Sequence, residues 1–174
     1  MRVKIFFYTI CILLIVIIQS TVLDAVRIFN IIPNVMIVFV VCTAFLRGSI
    51  EGAVVGFFMG LVQDMLFGLM LGFYALLGMY LGLVVGLINR RLYRDNLLVI
   101  VFFTFVSSIA YEAAVFFMAT FGLIISGQVN VLSPLIGIIL PEAFLNCIVS
   151  IFVYLFLFRW SERFDEMDRA GRRY

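Results

Sequence analysis

Apolar residues in this chain run in blocks rather than in alternation. Six stretches, residues 5–23, 28–46, 50–67, 70–88, 97–125 and 131–158, are dominated by Ile, Leu, Val and Phe, and short polar or glycine-containing links separate them. Each is near or above the roughly 20 residues that a helix rising about 1.5 Å per residue needs to cross about 30 Å of hydrocarbon. Barrel strands would alternate apolar with polar residues, and these blocks do not. The pattern predicts an all-α integral membrane protein with six transmembrane helices. The stretch 97–125 exceeds the span requirement and should tilt or extend beyond the hydrocarbon. The last block contains Pro134 and Pro141; proline is best tolerated in the first turn of a helix. The final span is therefore expected to begin near Pro141, with 127–140 as a short interfacial or re-entrant segment.

Composition agrees with the pattern. The chain has 174 residues, of which 66% are hydrophobic and 13% charged, against roughly a quarter charged in an average soluble domain. There is too little polar surface to cover a soluble core.

The basic residues set the expected topology. With the N-terminus inside, Arg2, Lys4, Arg47, Arg90, Arg91, Arg94, Arg159, Arg163, Arg169, Arg172 and Arg173 are all cytoplasmic, and only Arg27 is outside. Cytoplasmic loops carry an excess of Lys and Arg, so both termini are expected in the cytoplasm and the span count is expected to be even. The net charge of +2 records topology and gives no reason to expect nucleic acid.

The first apolar stretch is longer than a signal-peptide core and ends in Gln19, Ser20 and Thr21 without a small-residue cleavage pattern, so it is expected to be retained. Cys11, Cys42 and Cys147 lie singly within predicted helices, where cysteine acts as a small apolar residue. With no CxxC and no histidine, neither a metal site nor a cofactor nor a disulfide framework is expected. The commonest general base is missing as well.

Two glycine ladders are the clearest local motif. Gly52, Gly56 and Gly60, with Gly48 drifting off the face, recur every fourth position in the third span, and Gly78, Gly82 and Gly86 do so in the fourth. Glycine at this spacing bares one helix face and admits another helix closely, which matters in lipid because dispersion contacts drive association there. Packing of these two helices, dimerisation and docking of a partner's helix are all compatible with it.

The acids within the spans are the second informative set. Counted from the cytoplasmic end of each span, Asp64, Glu112 and Glu142 lie about 15 to 16 residues in, or roughly 22 to 24 Å across, in the outer half of the membrane. Gln63 is at the same level and Gln19 is nearby. Thr104, Ser108 and Glu112 are spaced four apart, as are Glu142, Asn146 and Ser150; each set makes a polar stripe on one helix face, and the two stripes are expected to face each other. No Lys or Arg lies within a span to act as counter-ion. The acids are either neutral groups hydrogen-bonded between helices or an outward-open polar pocket for a cationic ligand or a basic residue of a partner. Gln19, Gln63, Asp64, Glu112, Glu142 and Asn146 are the candidate pocket or partner-binding residues.

Residues 1–158 are read as a single transmembrane domain and 159–174 as a short charged cytoplasmic tail. Trp160 is placed to anchor at the interface. The tail is either a solvated end or a binding segment. Arg90, Arg91 and Arg94 are the candidate cytoplasmic contact, toward a partner or toward anionic lipid.

The stretch from Gly56 to Gly68, GFFMGLVQDMLFG, followed by Leu71-Gly72-Phe73-Tyr74-Ala75-Leu76, resembles the core signature of the rod shape-determining protein MreD family: a glycine-rich helix ending in aspartate, then Phe-Gly, then a Leu-Gly-aromatic-Ala-Leu run. Gln19-Ser20-Thr21 and Pro33-Asn34 are supporting matches. The specific motifs lie mainly between Gln19 and Gly86; the last two spans resemble the family only loosely. The resemblance implies a non-enzymatic component of the bacterial elongation machinery in the inner membrane. Its implied partners are an MreC-like bitopic protein, RodA with its penicillin-binding transpeptidase, and MreB filaments directly or indirectly. It also implies a fold resembling the substrate-binding component of energy-coupling vitamin transporters.

That likeness gives the alternative, a small-molecule uptake component. Such components dock their transporter through small residues spaced four apart on the first helix, whereas here that helix carries Phe6, Phe7, Ile10, Leu13, Leu14 and Ile17. Proton or sodium coupling rests on the three acids alone. An intramembrane enzyme would lack the usual base for a serine or cysteine nucleophile.

Overall fold

The structure is a computed structural model that describes residues 2–22, 31–67, 72–89, 97–125 and 132–171. The described residues form six principal helices: α1 (Arg2–Ile17), α2 (Val35–Arg47), α3 (Ser49–Phe67), α4 (Phe73–Asn89), α5 (Leu97–Ile125) and α6 (Leu140–Gly171). A π-helical turn, Ile18–Val22, prolongs α1; a short turn, Leu132–Pro134, and a second π-helical segment, Leu135–Ile139, lead into α6. Four helical segments are long and apolar enough to cross a membrane: Val3–Thr21, Ser49–Leu66, Leu97–Phe121 and Leu135–Phe164. Val35–Arg47 and Phe73–Asn89 are shorter apolar helices. This is an all-helical membrane protein.

Local chemistry sets several boundaries. The second apolar block is expected to be helical from residue 28, yet α2 begins at Val35. Proline disfavours helical geometry in the residue before it, and Asn34 follows Pro33 as an N-cap whose side chain accepts the Ile37 N–H. The helix closes on Gly48, whose φ of +91° favours glycine and whose N–H returns to the Ala44 carbonyl. Gly72, with φ +95°, plays the opposite part by opening α4.

The expected start of the last span at Pro141 needs correction. The Leu135–Phe164 stretch is one continuous candidate span, and Pro141 is the second residue of α6. The preceding π turn resolves the conflict. The Leu140 N–H bonds the Leu135 carbonyl, five residues back, and this wider winding accommodates a ring that would clash in a regular helix. Residues 126–131 lie outside the described residues.

α2 is the axis of the bundle. Val35 through Leu46 are all buried, as expected of a helix that is apolar all round and encased by others. α3 and α4 form an antiparallel pair against it, α5 and α6 close the other side, and α1 lies at the periphery. Phe6, Leu98 and Phe152 stand 68%, 78% and 70% exposed, an outward face suited to lipid rather than water. The helices alternate in direction. Tyr8, Arg47, Glu51 and Ser161 meet at one end, and Gln19, Asn34, Glu112 and Asn146 meet at the other.

The glycine ladders account for the tightness of the α3–α4 pair. A Cβ on Gly56 would overlap the Gly78 carbonyl, one on Gly82 the Gly52 carbonyl, and one on Gly60 the Tyr74 carbonyl. Gly86 lies against Ser49 in the same way. Backbone thus packs on backbone along the whole pair.

Candidate functional site

The chemistry concentrates where α1 ends, α2 begins, α3 ends, α4 begins and α6 begins, with the second half of α5 alongside. Asn34 is the hub. Its backbone N–H donates to Asn146 Oδ1 at 2.7 Å, and its side-chain Nδ2 donates to Glu112 Oε1 at 3.2 Å. Glu142 lies beside Glu112, and Asn146 follows it one turn further along α6. Asn34, Glu112, Glu142 and Asn146 together form a polar ring joining three helices. Glu142 and Asn146 are buried, whereas Glu112 stays partly exposed at the edge.

The two polar stripes do face each other. Asn146 Nδ2 donates to Ser108 Oγ at 3.0 Å, and Thr104, Ser108 and Ser150 are all fully enclosed. The cysteines join this seam as weak donors, Cys42 to the Ser150 carbonyl at 3.8 Å and Cys147 to the Val101 carbonyl at 3.5 Å.

Gln19 clamps the entrance to α2. Its Nε2 donates to the Pro33 carbonyl at 3.2 Å, and its Oε1 accepts the Val35 N–H at 3.1 Å. The π-helical turn at Ile18–Val22 carries this side chain. The distant motifs Gln19-Ser20-Thr21 and Pro33-Asn34 are thus two halves of one cap.

Asp64, near the end of α3, serves another helix. Its Oδ1 accepts the Tyr74 N–H at 3.0 Å and its Oδ2 the Ala75 N–H at 2.9 Å. Gly72 has no side chain to cap α4, and the first N–H groups of a helix have no partner within it. A carboxylate satisfies two of them and sits at the positive end of the helix dipole. Asp64, at 4% exposure, therefore has a counter-charge made of backbone. Next to it, Gln63 Oε1 accepts the Tyr111 hydroxyl at 2.9 Å, and the Tyr74 and Tyr111 rings stack with centroids 6.4 Å apart. Among the residues singled out from sequence, Gln19, Glu112, Glu142 and Asn146 converge around Asn34, and Gln63 and Asp64 form a second cluster joined to the first through Tyr111 and Glu112 on α5.

At the opposite end Arg47 Nε lies 3.2 Å from Glu51 Oε2, and the same oxygen accepts the Tyr8 hydroxyl at 3.0 Å. Arg47 also donates through Nη1 to Ser161 Oγ at 3.3 Å. Arg90, Arg91 and Arg94 fall outside the described residues. α6 continues as helix through Gly171, and Phe7 of α1 packs on Trp160 and Phe164 with centroids 4.7 and 5.3 Å away.

Sequence reasoning about the site missed Asn34, Tyr111 and the Arg47 cluster. Asn34 had a usable signal, since an Asn directly before an apolar run is an N-cap pattern. The Arg47–Glu51 pair had one too, in its spacing of four across the Gly48 turn. Tyr111 had none, because one tyrosine in an apolar helix does not reveal which side it faces.

Searches of curated proteins and of solved structures return no match. The profile of the rod shape-determining protein MreD family matches residues 1–164, nearly the whole chain and all six helices. That match extends past the Gln19 to Gly86 motifs into α5 and α6, where the ring acids lie. On this evidence the chain belongs to the rod shape-determining protein MreD family.

Proposed function

We propose that the protein is a non-enzymatic scaffold of the bacterial cell-elongation machinery, held in the inner membrane with both termini cytoplasmic, and that it maintains rod shape by binding other membrane proteins. The observation that carries this reading is the family match over residues 1–164. The concentration of basic residues on the side of the Arg47 end supports the orientation. The partners the family implies are an MreC-like bitopic protein, RodA with its penicillin-binding transpeptidase, and MreB filaments. Nothing in the comparisons supports the uptake alternative.

The polar layer around Asn34 is the contact we assign to a partner. Glu112 is the acid of the ring that remains partly exposed, and a basic or N–H-bearing group of a bitopic helix could join the ring there without leaving a buried charge unpaired. The glycine faces are already filled by each other, which removes them from the candidate docking surfaces.

The test is affinity purification from gently solubilised membranes, with wild type and Glu112→Gln compared at equal amounts of folded protein. Recovery of an MreC-like protein and wall-synthesis enzymes with wild type, reduced by Glu112→Gln, supports the proposal. Recovery of a transporter subunit instead would replace scaffolding with uptake. Equal recovery with both proteins would remove the polar layer from the interface while leaving the scaffold reading intact.

A further inference from the structure

The outward face of α6 between Phe152 and Arg163 carries a groove of about 450 Å³ lined by Phe152, Leu155, Phe156, Arg159, Trp160 and Arg163. Its floor is apolar and open, with Phe152 at 70% exposure and Leu155 and Phe156 each at 49%. Its mouth is basic. Arg159 and Arg163 stand one helical turn apart and exposed, and among the described residues no carboxylate lines the groove. The Arg163 guanidinium lies over the Trp160 ring, 5.4 Å from its centroid. Phe7 of α1 packs behind Phe156 and Trp160, at 6.1 and 4.7 Å, so the aromatic wall is braced by a second helix.

We propose that this groove binds an anionic glycerophospholipid, with an acyl chain along Phe152, Leu155 and Phe156 and the phosphate between Arg159 and Arg163. Dimensions and charge both select that occupant. From Phe152 to Arg163 the helix rises roughly 16 Å at about 1.5 Å per residue, close to the ~15 Å depth of one leaflet's hydrocarbon. Trp160 then falls at headgroup level, where tryptophan is enriched, and the arginines reach into the headgroups. A guanidinium fork matches phosphate oxygens in pairs. Stacking on Trp160 limits the freedom of Arg163 and lowers the cost of holding it in place. A zwitterionic lipid offers the same acyl chain but sets a cation beside the two arginines.

The experiment uses the full chain in neutral detergent, with binding of phosphatidylglycerol followed by native mass spectrometry and by thermal shift. Phosphatidylcholine of matched chains and free glycerol phosphate are the comparison probes. Arg159→Gln/Arg163→Gln should weaken phosphatidylglycerol binding about tenfold or more, given about 1 kcal/mol per basic residue near a charged headgroup. Arg159→Lys/Arg163→Lys keeps the charge but removes the guanidinium fork and should recover little of that loss. Phe152→Ala keeps the charge and should also weaken binding. Full recovery of binding by the lysine pair would reduce the effect to diffuse attraction and overturn the site. Equal binding of phosphatidylcholine, or competition by glycerol phosphate, would overturn it too. A protein subunit lost only from Arg159→Gln/Arg163→Gln, with lipid binding unchanged, would give the groove to a protein and end the lipid proposal.

Discussion

Asp64 places its Oδ2 2.9 Å from the backbone N–H of Ala75, so an acid near the end of one helix completes the start of the next. The residue that reads from sequence as an unbalanced intramembrane charge is balanced by peptide dipoles. Capping from a neighbouring helix also ties the end of α3 to the start of α4.

This arrangement predicts a graded response at Asp64. Asp64→Asn keeps one acceptor oxygen and should cost about 1 kcal/mol, whereas Asp64→Ala strands both N–H groups and should cost about 1–3 kcal/mol. Thermal unfolding of the purified protein in detergent checks the order. Identical behaviour of the two variants would show that the cap contributes no stability.

The glycine pairs predict a sharp contrast between positions. Gly56→Ala and Gly56→Leu both place atoms on the Gly78 carbonyl, while Gly137 has nothing within 4 Å of a Cβ. Gly56→Leu should abolish accumulation of monodisperse protein, Gly56→Ala should reduce it, and Gly137→Ala should leave it unchanged. Size-exclusion profiles of solubilised membranes read all three. A tolerated Gly56→Leu would mean that the two helices can separate without loss.

Asn146 serves two neighbours, Asn34 and Ser108, so its removal should exceed the loss of either bond alone. Asn146→Leu leaves the Asn34 N–H and Ser108 without their shared partner in a buried layer and should cost about 2–3 kcal/mol. Ser108→Ala removes a single bond and should cost about 1 kcal/mol. Denaturation midpoints compared pairwise decide this, and a larger effect from Ser108→Ala would contradict the hub.

At the other end Arg47 reaches Glu51 through two nitrogens and Ser161 through a third. Lysine supplies charge without the fork. Arg47→Lys should therefore recover little of the roughly 1–2 kcal/mol lost in Arg47→Ala, the scale of a charge-assisted hydrogen bond. Full rescue by lysine, read by the same thermal assay, would show that charge alone suffices.

How much of this was legible in the sequence differs from one element to the next. The span 97–125 coincides with α5, because no proline breaks it. The start of α2 was misplaced because hydropathy continues through residues 28–34, while the Pro33-Asn34 pair, a backbone signal, sets the boundary. Pro141 misled for a related reason, since a π turn is not encoded in apolar spacing. The facing of the Ser108 and Asn146 stripes followed from spacing alone. The bonding of Asp64 did not, because its partners are backbone groups that carry no side-chain signature. Grouping Asn34 with Glu112 and Asn146 required the order of helices around α2, and periodicity gives only the face of each helix.

The bond between Asn34 and Asn146 joins residues 112 positions apart, and this separation has a bearing on how the protein is made. Asn34 enters the membrane early in synthesis, and its partner emerges only with the last helix. Until then the start of α2 waits with donors unmet in a solvent that offers none. Arrival of α6 supplies the Asn146 oxygen, so this bond closes only when the chain is nearly complete. A chain stopped short of residue 140 would leave the Asn34 N–H and Ser108 without the Asn146 side chain that joins them.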